Sequence, residues 1–169
     1  MSDDNKLEAA RSADVTGAVK RPFYGYEDAK RVAPVSPGYA ALPDAAALYG
    51  ALLSCWSAAT AAPRMRDRWS ESDPTVGQCS VTAFLAQDIF GGKVFGVPLG
   101  DGNFHCFNVV GDRVFDLTSA QFGARKLDYS QNFEQSRETH FAKEEKRLRY
   151  ELLRSSLRRL LGVENMEEI

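Results

Sequence analysis

Apolar positions fall into two helical stretches, a run of alternating segments and one long amphipathic tail. Leu48, Leu52 and Trp56 recur every fourth position after Pro43, with Leu53 widening the stripe, and predict a helix over about 44–59. Asp44 stands in its first turn, where the helix dipole favours a negative charge. A loop rich in Pro, Ser and Asp, "TAAPRMRDRWSESDPTVGQ", follows. Val81, Phe84, Leu85 and Ile89 then repeat the helical spacing from Cys79 or Ser80 to Phe90, and Gly91-Gly92 supply the stop. Three strands are predicted next, "KVFGVPL" (93–99), "FHCFNVV" (104–110) and "RVFDLT" (113–118), with "GDGN" and "GD" at the junctions, which makes a small antiparallel meander. A polar passage leads to a long helix over about 143–161. Its stripe is Leu148, Leu152, Leu153, Leu157, Leu160 and Leu161, and its other faces carry Lys143, Lys146, Arg147, Arg149, Arg154, Arg158 and Arg159 with Glu144 and Glu145.

These elements predict an α+β fold, a small antiparallel β-sheet packed against a central helix with flanking N- and C-terminal helices. The chain has 169 residues, 44% of them hydrophobic, which suits a single core. Residues 1–40 stand apart: Pro22, Pro34 and Pro37 punctuate small and charged residues, and the stretch reads as an extended or partly disordered arm before a single domain over 41–169. Phe23, Tyr24 and Tyr26 are suited to pin that arm to its own domain or to a protein partner. The basic last helix is a second candidate surface for a protein.

The formal net charge of -2 supplies no field that would draw the chain to nucleic acid or to an anionic membrane. The longest apolar stretches fall far short of the roughly 20 residues needed to span a bilayer. The polar, acidic start "MSDDNKLEAARSADV" lacks the apolar centre of a signal peptide, so a cytoplasmic location is expected. Cys55, Cys79 and Cys106 are too few and too scattered for a disulfide framework or a zinc ribbon, and read as free thiols. No cofactor and no metal are expected.

Cys79 is the residue whose place suggests chemistry. A cysteine in the first turn of a helix is helped toward its thiolate by the positive end of the dipole, and a nearby base completes the ion pair. Of the two histidines, His140 lies in the polar passage, which reads as exposed, and His105 lies within a strand. If Gly111-Asp112 form a two-residue hairpin turn, Val110 opposes Arg113 and Asn108 opposes Phe115, which leaves His105 and Asp116 on one face as diagonal neighbours, roughly 7–8 Å apart. A different loop length shifts the register and parts them. Gln78, with the backbone N–H of Cys79, is a candidate oxyanion donor, and equally a helix cap or a bond to a neighbouring loop. Trp69 is a candidate for lining a substrate cleft. Asn108 falls on the face opposite His105 and reads as a structural hydrogen bond; Trp56, Cys55 and Cys106 read as core.

The order Cys at a helix start, His on a strand, Asp on the next strand resembles the papain-like and transglutaminase-like cysteine enzymes. The strings "LLSCWS", "RWSESDPTVGQCSVTAFLAQDIFGG", "HCFNVVGDRVFDLTSAQFG" and "RYELL" resemble the bacterial YunG-like family over roughly residues 45–155, most densely at "GQCSVTA", at His105 with Asn108, and from Asp116 to Phe122. That family carries no established reaction, so the expected function rests on the site. It is thiol-dependent hydrolysis or acyl transfer at an amide or thioester of a small molecule or peptide, through Cys79, His105 and Asp116. The alternative is a non-catalytic binding or interaction module that retains the fold.

Overall fold

The computed structural model describes residues 21–130 and 133–166. Its helices are α1 (Tyr26–Ala29), α2 (Ala45–Leu52), α3 (Cys79–Phe90), α4 (Arg137–Phe141) and α5 (Glu144–Leu160). Its strands are β1 (Lys93–Pro98), β2 (Phe104–Val110), β3 (Arg113–Phe115) and β4 (Phe133–Glu134). The strands form one sheet in the order β3-β2-β1-β4, antiparallel throughout. The class is therefore α+β with a small antiparallel sheet among helices.

The centre of the fold is α3. Val81 through Ala86, Ile89 and Phe90 are all buried, so the helix is covered on nearly every side. One of those sides is β2. Side chains alternate along a strand, and Cys106 and Asn108 face α3, where Asn108 Nδ2 donates to the Ala83 carbonyl at 2.8 Å. Leu153 and Leu157 of α5 and Leu48 and Leu52 of α2 close the same core.

Three departures from the expected elements have local causes. Helix α2 ends at Leu52 rather than near 59 because the chain turns through Cys55 and Trp56, whose N–H groups both donate to the Leu52 carbonyl. Trp56 is still buried, its indole N–H donating to Thr82 Oγ1 of α3 at 2.9 Å. Strand β3 stops at Phe115 because Asp116 leaves the ladder and its N–H donates to the Tyr24 carbonyl instead. In α5 the expected leucine stripe divides: Leu153 and Leu157 are buried while Leu148, Leu152 and Leu160 are exposed. Arg149 and Arg158 occupy the buried side, where backbone carbonyls of Thr60 and Val163 accept from their guanidiniums.

The described part of the N-terminal segment packs into the core. Phe23, Ala29, Val32 and Tyr39 are buried in the same cluster as α3, so the packing does not change at residue 40. The rest of the expected arm, residues 1–20, lies outside the described residues. No helix among the described residues is long and apolar enough to cross a membrane.

Candidate active site

The approach to α3 is set by Gly77 and Gln78. Gly77 has φ +74, and a Cβ there would meet Ala62 N at 3.0 Å and Ala61 Cβ at 3.1 Å, so only glycine lets the loop after α2 close against the start of α3. The Ala62 N–H donates to the Gly77 carbonyl at 2.9 Å across this contact. Gln78 is wholly buried: its Nε2 donates to the Ser57 carbonyl at 2.9 Å and its Oε1 accepts from Thr60 Oγ1 at 2.8 Å. The Thr82 N–H makes the first helical bond, to the Gln78 carbonyl, so the N–H groups before it point out of the open helix end at Cys79.

Beneath that end lies the β2–β3 hairpin. Gly111, at φ +61, opens a two-residue turn, and the ladder pairs Val110 with Arg113 and Asn108 with Phe115. His105 Nε2 then lies 2.5 Å from Asp116 Oδ2, with both side chains 1% exposed. The carboxylate is fully engaged. Tyr129 donates to Oδ2 at 2.6 Å, and the Thr118 N–H and hydroxyl donate to Oδ1 at 3.1 and 3.3 Å. The ring of Phe122 packs edge-on against His105, centroids 4.6 Å apart.

The hairpin register also explains how Cys79 meets this pair. N–H groups of Val110 and Asn108 point toward β3, and by the same alternation so does that of Cys106, which lies beyond the end of β3 at an open edge. Cys106, through its backbone N–H and its thiol, and His105 both bear on the Cys79 thiol and favour its thiolate, from side chains that leave β2 on opposite faces. Since Asp116 engages Nε2, Nδ1 is the ring nitrogen left for the sulfur.

The electrostatic consequences are large. Hydrogen bonding by the Cys106 thiol, with His105 adding to it against the opposing effect of burial, holds the Cys79 thiol well below its ordinary value of 9.0. Cys106 is pushed well above its own, by its bond to Cys79 and by burial. Burial opposes charge on His105, but Asp116 and Cys79 overcome it and raise the imidazole from 6.5 to about 10. The favoured state is a thiolate beside an imidazolium.

Cys79 is half-buried and lines a cleft of about 570 Å3, walled by α3, the start of β2, α4 and the first turn of α5. Cys106 and His140 share that cleft. A larger cavity, of about 1310 Å3, lies on the far side, behind Phe122 and Tyr129, and Cys79 does not reach it. The smaller cleft is the one to which Cys79 is open.

Of the expected site residues, Cys79, His105 and Asp116 are adjacent, and two others are not with them. Gln78 has no accessible surface and its amide is committed to Ser57 and Thr60, so it fastens the loop rather than facing the cleft. Trp69 lies away from the Cys79 cleft, its indole N–H donating to the Pro74 carbonyl at 2.9 Å. His140, expected to be exposed, is buried and stacked on Phe84 with centroids 4.6 Å apart, because the passage before α5 folds back as α4. Among the described residues, no group of three or more His, Cys, Asp or Glu side chains is arranged to hold a metal ion.

Sequence reasoning missed Tyr129, Cys106, His140 and Lys146. Tyr129 stands in a polar stretch without periodicity and meets Asp116 only by tertiary folding. Thr118 was the one neighbour with a local signal, because a Thr two residues after an Asp often closes a side-chain turn.

A family profile described as "YunG protein" matches residues 44–162. One curated relative, "Uncharacterized protein YunG" of Bacillus subtilis (strain 168), is 42% identical over 74 residues, which is 44% of this chain and 62% of the relative. The chain thus spans less than two thirds of that relative's length. No solved structure gives a significant match. The aligned segment of the family profile contains α2, α3, the β2–β3 hairpin and α5, and on that match the chain belongs to the YunG family.

Proposed function

We propose that the protein is a thiol-dependent acyl-processing enzyme that hydrolyses or transfers the acyl group of an amide or thioester. The observation that carries this reading is the half-buried Cys79, open to a cleft on one side, with its thiol lowered by His105, which the buried Asp116 holds. In the first step the Cys79 thiolate attacks the carbonyl carbon, and the imidazolium of His105 gives its proton to the departing amine or thiol, leaving an acyl-cysteine and a neutral ring. In the second, water or an acceptor nucleophile attacks the acyl-cysteine while His105 takes its proton, and the thiolate–imidazolium pair is restored. Asp116 holds the ring and favours its charged form. Backbone N–H groups at the open end of α3 take the oxyanion role, since the side chain of Gln78 is committed elsewhere.

This is the chemistry of papain-like and transglutaminase-like enzymes, and the order of the three residues along helix, strand and strand supports placing the core in that class. The free thiols of Cys55, Cys79 and Cys106 suit a reducing, cytoplasmic compartment. One observation favours the competing reading of a non-catalytic binding module: His105 is 1% exposed, so passing its proton to a leaving group requires the ring or Phe122 to shift.

The test is acyl-enzyme trapping. Incubation with simple acyl thioesters is expected to release thiol and to add one acyl mass at Cys79, and His105→Ala should slow this by about 10² or more. Absence of an adduct, with Cys79 alkylated by iodoacetamide at the pH dependence of an ordinary thiol, would overturn the enzyme reading.

A further inference from the structure

We propose that the Cys79 cleft selects an acyl substrate bearing a carboxylate, with Lys146 as its counter-charge and His140 Nε2 as its hydrogen-bond partner. This deepens the enzyme reading and rests on Cys79 being the nucleophile. The first observation is charge. Arg64, Lys143, Lys146 and Arg149 line the cleft against a single acidic residue, Glu145, which is itself paired with Arg149. A chain of net charge -2 has therefore gathered a local excess of positive charge around its candidate nucleophile.

Lys146 is half-buried and makes no ion pair among the described residues, and its ammonium acts on both Cys106 and His140. It is not needed to neutralise the thiolate, because His105 already does that from below. Its charge faces the cleft without an internal anion to answer it.

The second observation is independent of charge. His140 is 7% exposed, and its Nε2 is buried without any hydrogen-bond partner. A buried polar atom left unpaired costs free energy, and because this one has no exposed surface a ligand in the cleft supplies the missing group only as the His140 ring turns toward it. Burial and the charges of Lys146 and Arg149 keep the ring neutral, down to about pH 4. A neutral imidazole protonated on Nε2 donates one hydrogen bond to a carboxylate oxygen, and the ammonium of Lys146 answers its charge. The cleft volume of about 570 Å3 suits a small molecule or the end of a peptide.

The experiment compares two alkylating reagents at Cys79, anionic iodoacetate and neutral iodoacetamide, at low ionic strength, with N-acetylcysteine as the unstructured thiol. Expected is an iodoacetate-to-iodoacetamide rate ratio about fivefold or more above that of N-acetylcysteine, falling with added salt. Lys146→Met should bring the ratio down to the free-thiol value, Lys146→Arg should keep most of it, and His140→Leu should lower it. A wild-type ratio no higher than that of N-acetylcysteine, or one that Lys146→Met leaves unchanged, overturns the inference. The enzyme reading fails separately, on the absolute pH profile with iodoacetamide: an ordinary profile with a high ratio sinks the chemistry and keeps the anion site, and an acid-shifted profile with a free-thiol ratio does the reverse.

Discussion

His105 Nε2 and Asp116 Oδ2 lie 2.5 Å apart with both side chains buried, and Tyr129 and Thr118 occupy the rest of the carboxylate. The pair raises the imidazole to about 10, so its contribution to stability is fully present below the unfolded value near 6.5 and is lost as pH rises through about 10. Asp116→Asn removes the charge that sustains this. His105 in the wild type should show no titration by NMR between about pH 5 and 9, whereas in Asp116→Asn it should titrate within that range. Because a buried cation would lose its partner, the variant should be less stable by about 3 kcal/mol or more in urea at pH 6. Titration of wild-type His105 near its ordinary value would remove the basis for a charged pair.

Cys106 belongs to the core and also favours the Cys79 thiolate. Its thiol is the largest influence lowering Cys79, ahead of His105. Cys106→Ala should therefore raise the Cys79 pKa, read from the ultraviolet absorbance of the thiolate, while the backbone N–H of residue 106 and His105 keep it below an ordinary thiol. The double variant with His105→Ala should titrate higher than either single one. If Cys106→Ala leaves the titration unmoved, the thiol contact has no electrostatic role.

Much of this arrangement is legible in the sequence, for reasons that separate local from tertiary information. The parity of a two-residue turn at Gly111-Asp112 is a local property, and it put His105 and Asp116 on one face; the observed ladder has that register. The helix start at Cys79 was marked by the loop before it and the apolar spacing after it. What escaped was set by packing between distant segments. For Gln78 the sequence leaves an oxyanion donor and a bond to a neighbouring loop equally open, and the loop bond is the one formed, with Ser57 and Thr60 as partners that nothing local announces; His140 reads as exposed because burial of a short helix against Phe84 leaves no periodic trace. In α5 the leucine spacing marked a wide stripe, yet Arg149 and Arg158 took the buried side by finding carbonyls that only the folded chain presents.

Gln78 offers a clean separation of structure from catalysis. Gln78→Leu removes two buried hydrogen bonds, to the Ser57 carbonyl and from the Thr60 hydroxyl, which keep only the bonds between Ser57 and Thr60 themselves, and should cost roughly 1–3 kcal/mol in urea denaturation. The pH profile of Cys79 alkylation in the folded variant should match the wild type. A catalytic oxyanion donor behaves the other way round, with acyl-transfer rates lower by about 10²–10³ and little change in stability. That second pattern would return Gln78 to the reaction.

His140 makes the fold sensitive to acid. Burial, with the charges of Lys146 and Arg149, holds its imidazole at about 4, while the unfolded chain takes up the same proton near 6.5. Between those values the unfolded state binds the proton that the folded state refuses, so this contribution is present in full above about 6.5 and is lost as pH falls toward 4. Its size is roughly 2 kcal/mol once partial solvent screening beside an open cleft is allowed for. His140→Phe keeps the ring contacts with Phe84 and Phe141 and cannot be protonated. The urea midpoint of the wild type should therefore fall further between pH 7 and pH 5 than that of His140→Phe, by a margin that carboxylate titrations common to both proteins cannot produce. Equal losses in the two proteins would mean that His140 is protonated in the folded state, and Lys146 would then face a second cation across the cleft.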